Sequence, residues 1–85
     1  MPLETNINSI IQFFLSIESA AQRQAMAGQI IESLNDIRVR LGDTRLDVKA
    51  LEILTNNIRQ YSGDVSEMER EILKFEISLL ADMIS

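Results

Sequence analysis

Apolar residues in this chain recur every three or four positions, and no stretch of useful length alternates in the manner of a strand. Proline occurs once, at Pro2, so nothing beyond it removes a backbone donor from a helix. The three glycines stand at 28, 42 and 63. Gly42 and Gly63 lie in turn-like settings, Leu41-Gly42-Asp43-Thr44 and Tyr61-Ser62-Gly63-Asp64, and divide the pattern. The expectation is all-α: a small antiparallel bundle of three to four helices, over 1–85 as one domain.

Four helices are predicted, at about 7–15, 19–40, 47–61 and 65–84. The first carries Ile7, Ile10, Ile11 and Phe14 at helical spacing and is too short to be stable unless packed. The second starts at a capping box, Ser19 with Gln22, and carries Met26, Ile30, Leu34, Ile37 and Leu41. Gly28 interrupts it, explained either by a close helix contact or by tolerance at an exposed site. The third has Asp47 as N-cap or first-turn acid, a stripe of Leu51, Leu54, Ile58 and Tyr61, and Gly63 at the C-terminal position. The fourth opens on a second box, Ser66 with Glu69.

That last helix has two apolar stripes. Val65, Met68, Ile72, Phe75, Leu79 and Met83 form one; Leu73, Ile77, Leu80 and Ile84 form the other. At 100° per residue their centres stand about 120° apart, wider than one surface helix needs. An 85-residue chain buries only roughly 60–65% of its extended surface. With no cysteine for a disulfide and no histidine, oligomerisation is the remaining way to add stability. A homodimer is therefore expected, with Leu73, Ile77, Leu80 and Ile84 as its interface. The alternative is that the first helix folds over that stripe.

The same absences bear on chemistry. Without His or Cys, a transition-metal site, the common general base and the thiol nucleophile are all missing. The carboxylates are spread along helix faces rather than converging, and Glu67, Glu69 and Glu71 suit the N-terminal dipole of the last helix. The expectation is no catalytic, metal or cofactor residues, and a protein that is not an enzyme. The start of the chain has no Lys or Arg ahead of its apolar stretch, and no apolar run approaches the ~20 residues of a membrane span. A cytoplasmic protein without membrane insertion is expected.

Thirteen acidic against eight basic residues give a net charge of −5, which works against nucleic-acid binding. Four bases nevertheless gather near the central turn: Arg38, Arg40, Arg45 and Lys49. They are the candidate contact for nucleic acid or an acidic partner. The competing reading pairs them with Asp36, Asp43, Asp47 and Glu52.

The layout resembles a family of very small enterobacterial regulators, the YmgB/AriR group of two-component-system connectors. The resemblance is carried by the aromatic-bearing Ile10-Ile11-Gln12-Phe13-Phe14 and by Ala27-Gly28-Gln29-Ile30-Ile31-Glu32-Ser33-Leu34. It continues through a Gly-containing connector into Leu46-Asp47-Val48-Lys49-Ala50-Leu51, and then Glu69-Arg70-Glu71-Ile72-Leu73. It implies a helical dimer that modulates biofilm formation and acid resistance by acting on a signalling protein such as a sensor kinase, with DNA binding in one branch. It marks core positions and assigns no contact residue. Other small acidic helical proteins, secretion chaperones and phage-encoded inhibitors, fit the residues as well.

Overall fold

The computed structural model describes the backbone of residues 3–41 and 46–83, and the side chains of 7–40 and 48–83. It contains four helices: α1 (Leu3–Leu15), α2 (Ala20–Leu41), α3 (Leu46–Tyr61) and α4 (Glu67–Met83). Each packs on its neighbour in sequence, and α4 returns to pack on α1, which closes a four-helix ring. Antiparallel order is visible where α1 meets α4: Asn8 Nδ2 donates to Asp82 Oδ1 at 3.3 Å and Gln12 Nε2 to Ser78 Oγ at 3.2 Å. The bundle measures 35 × 21 × 17 Å, and the 22-residue α2 runs along its length.

Local chemistry sets the helix ends. Ser19 Oγ accepts the Gln22 N–H at 3.3 Å, and the Ser19 carbonyl accepts the Arg23 N–H at 2.9 Å. Ser66 does the same for α4 and is bonded to both ends of Glu69: its hydroxyl accepts the Glu69 N–H and donates to Glu69 Oε1, each at 3.2 Å. Both serines are N-caps, satisfying donors that a helix start leaves without partners. At the end of α1, Ser16 N–H and Ile17 N–H donate to the Phe13 and Phe14 carbonyls, and α2 begins a few residues later.

Gly63 follows α3, but its backbone is not left-handed, and an added Cβ would meet only the Arg59 and Gln60 carbonyls, at 3.5 Å. The turn does not require glycine. At Gly28 a Cβ would meet nothing within 4 Å, so exposure rather than a close contact accounts for it. α1 starts at Leu3, ahead of the expected 7, since Thr5 and Asn6 are weak helix formers rather than breakers. Residues 42–45, where a turn at Gly42 is expected, and Ile84 lie outside the described residues, as does the side chain of Asp47.

The core runs through all four helices. Ile7, Ile11, Phe14 and Leu15 meet Ala27, Ile30, Leu34 and Ile37, with Leu51, Leu54, Ile58 and Tyr61 from α3 and Leu73, Ile77 and Ala81 from α4. Among the described residues no polar or charged residue is buried. Of the residues expected at a dimer interface, Leu73 and Ile77 are buried inside the monomer and Leu80 is partly buried against the same core. The physical reason is that α1 and α3 close over this side of α4, where Ala81 is small enough to let them approach.

Candidate functional site

With its inner side committed to the core, α4 turns its other apolar stripe to water. Met68, Ile72, Phe75, Leu79 and Met83 are between 52% and 75% exposed. Their spacing of four, three, four and four residues draws one line about 22 Å long down the helix. At 100° per residue Phe75 stands about 160° from the buried Ile77, so the ridge points directly away from the core. Single exposed apolar residues are ordinary, but five in line on one helix form a contiguous apolar patch.

Charge rims the ridge. Helical geometry puts Glu69 and Glu76 along one flank and Glu71, Lys74, Ser78 and Asp82 along the other. The hydrogen bonds from Asn8 and Gln12 identify the second flank as the one beside α1. α4 carries five acids (Glu67, Glu69, Glu71, Glu76, Asp82) and two bases (Arg70, Lys74), a sum of −3. Between α1 and α4, next to Phe75, opens a cleft of about 460 Å³ lined by Gln12, Leu15, Ser16, Glu71, Lys74 and Ser78.

Arg70 does not belong to that rim. It folds inward, where its guanidinium donates to the Tyr61 carbonyl and, at 3.3 Å, to the Val65 carbonyl. Its Nε lies 3.7 Å from Glu67 Oε1. The Tyr61 ring is buried, stands edge-on to Phe14 at 5.4 Å, and donates its hydroxyl to the Leu15 carbonyl at 3.4 Å. The guanidinium carbons of Arg23 and Arg70 each lie 5.6 Å from its centroid, within cation–π range. Arg23 also donates to the Glu18 carbonyl at 3.2 Å. One tyrosine and two arginines thus tie together the ends of α1 and α3 and the starts of α2 and α4. Sequence reasoning read Tyr61 as core and passed over both arginines. Their signal was present: each follows its capping box directly, as Ser19-x-x-Gln22-Arg23 and Ser66-x-x-Glu69-Arg70.

The expected basic cluster is divided. Arg38 pairs with Glu52 at 3.3 Å, both side chains about half exposed. Arg40 Nε donates to the Asp36 carbonyl of its own helix at 3.4 Å. Lys49 is exposed, and Arg45 lies outside the described residues. The surface around Arg38 is a shallow polar depression shared with Asn35, Glu52, Thr55, Asn56 and Arg59, which holds two bases and one acid.

Among the described residues no group of three or more His, Cys, Asp or Glu could hold a metal ion. None of the described helices is long and apolar enough to cross a membrane. No protein-family model matches the chain, and no curated protein or solved structure matches it. Among the described residues, Ile10 and Phe13 of α1, Val39 of α2 and Ile53 of α3 are exposed as well, and the outer face of α4 sets five exposed large apolar residues in one line.

Proposed function

We propose that this chain is a non-enzymatic regulatory protein that acts by protein–protein contact, with the outer face of α4 as its contact surface. The observation that carries the reading is the ridge of Met68, Ile72, Phe75, Leu79 and Met83, held out of the core by a helix whose other side is already buried. Exposing five large apolar side chains in line has no folding benefit, since a polar residue at any of them would serve the monomer as well. A helix face with anchors at this spacing is the surface that helix-in-groove and helix-on-helix recognition uses. The connector-like layout supports the same reading, with a signalling protein such as a sensor kinase as the partner class. Nucleic-acid binding by Arg38, Arg40 and Lys49 has less behind it, because Arg38 is engaged by Glu52 and the surrounding depression carries both signs of charge.

The test is a photocrosslinking residue placed at Phe75, at Arg59 and at Lys49, one at a time, in the cell that makes the protein. The expected result is a discrete protein adduct from position 75, with little from 59 or 49. Adducts of equal yield from all three positions, or none from 75, would overturn the reading. A nucleic-acid adduct from position 49 would replace it with the alternative.

A further inference from the structure

Resting on that reading, we infer that the occupant of the α4 ridge is a basic amphipathic helix of another protein. The ridge fixes the length and spacing of what it takes. Five anchors over about 22 Å match roughly four turns of a facing helix with apolar residues at heptad positions. The two ends of the ridge are methionines, whose unbranched side chains adapt to varied partners, and the aromatic Phe75 stands at the centre. The cleft of about 460 Å³ beside Phe75 has room for one large side chain from the edge of such a helix.

Charge decides the sign. Glu69, Glu76, Glu71 and Asp82 line the two flanks and are all exposed, against Lys74 as the base beside them, because Arg70 is turned in toward Tyr61. A partner with lysines or arginines beside its apolar stripe meets an acid on either flank. A second copy of this chain meets its own charge. Laid antiparallel so that Ile72 packs on Phe75 of the other copy, two ridges set Glu69 against Glu76 on one flank, and only Lys74 with Glu71 offsets it on the other. Laid parallel, they set Glu69 and Glu76 beside the flank that holds Glu71, Asp82 and a single base, Lys74. Each copy also carries −5 overall. The exposed area is modest as well: the five side chains offer on the order of 600 Å² per copy, so a symmetric pair would sit at the lower edge of specific interfaces.

The experiment titrates the full chain with two synthetic helical peptides of roughly 18 residues, about 27 Å of helix, that share one apolar heptad stripe. One has lysine on both flanks and the other glutamate. Calorimetry at low and high salt gives the affinities, and sedimentation equilibrium gives the mass of the chain alone. The lysine peptide should bind about tenfold or more tighter at low salt, and the gap should narrow at high salt as the flanking pairs are screened. Phe75→Glu should abolish binding of both peptides, and the double variant Glu69→Lys/Glu76→Lys should reverse or erase the preference. Equal affinity for the two peptides, with both lost in Phe75→Glu, would overturn the charge assignment and leave the contact surface standing. A stable dimer at micromolar concentration that excludes both peptides would overturn it in favour of a second copy. A monomer that binds neither peptide would overturn both the occupant and the surface.

Discussion

The two long sides of α4 are made of the same kinds of residue and differ in what lies against them. On one side Leu73, Ile77 and Ala81 are buried under α1 and α3; on the other Met68, Ile72, Phe75, Leu79 and Met83 face water. Residue type does not separate them, because each side is a run of Leu, Ile, Met or Phe at helical spacing. What separates them is what the faces carry besides. The inner side has the small Ala81 and, on the same half of the helix, an arginine that caps α3 at the Tyr61 carbonyl and holds the connector at the Val65 carbonyl. The outer side has no small residue and is bordered by carboxylates that could not be dehydrated without cost.

Placing the same charge on each side of α4 separates the two most directly. Ile77→Glu puts an unpaired carboxylate into a fully buried site and should cost about 4 kcal/mol or more, enough to unfold a domain this small. Phe75→Glu should change stability by no more than about 0.5 kcal/mol, because the side chain is mostly exposed in the monomer. Thermal unfolding followed by circular dichroism reads both. A folded Ile77→Glu protein, or a Phe75→Glu protein that melts far below wild type, would mean that the two faces are assigned the wrong way round.

This is also where the sequence ran out. The four helices were legible from periodicity, from the Ser19 and Ser66 capping boxes and from the turn at Gly63. The face that α4 buries was not. Choosing between two apolar stripes depends on where α1 lands, and α1 meets α4 across more than sixty positions of sequence, through Asn8 with Asp82 and Gln12 with Ser78. Side-chain partners that distant leave no local trace in one sequence. The central bases illustrate the opposite limit. Arg38, Arg40, Arg45 and Lys49 look like a cluster because they are close in sequence, whereas helix geometry sends Arg38 across to Glu52 and Arg40 back to its own backbone.

A smaller effect sharpens what holds the inner side in place. Arg70→Met removes two hydrogen bonds from a charged donor to the Tyr61 and Val65 carbonyls, along with a cation–π contact, and should cost about 2 kcal/mol. Arg23→Met loses the ring contact and one bond, to the Glu18 carbonyl, and should cost about half as much. Arg70→Lys should recover little, since an ammonium cannot bridge two carbonyls in the planar geometry of a guanidinium. Denaturant titration ranks the three. Equal losses for Arg23→Met and Arg70→Met would indicate that contact with the Tyr61 ring, rather than the bonds to the Tyr61 and Val65 carbonyls, is what both arginines contribute.

A smaller effect is expected on the outer side of α2. Gly28 is exposed, and a Cβ there would meet nothing within 4 Å. In a helix of 22 residues, Gly28→Ala removes backbone freedom from the unfolded chain and fits the folded backbone without strain. It should therefore stabilise the protein by about 0.5–1 kcal/mol, raising the melting temperature by roughly 2–8 °C for a domain this size. Gly63→Ala, whose Cβ would sit at ordinary contact distance from two carbonyls, should fall between neutral and a small gain. If Gly28→Ala gave the expected gain in the isolated chain yet weakened partner binding as Phe75→Glu does, then glycine at 28 would mark close approach of another backbone. The outer face of α2 would then join that of α4 as a surface the monomer leaves open for a partner. If binding were unaffected, the glycine would be a tolerated weakness in an exposed helix, and α4 alone would hold the contact surface.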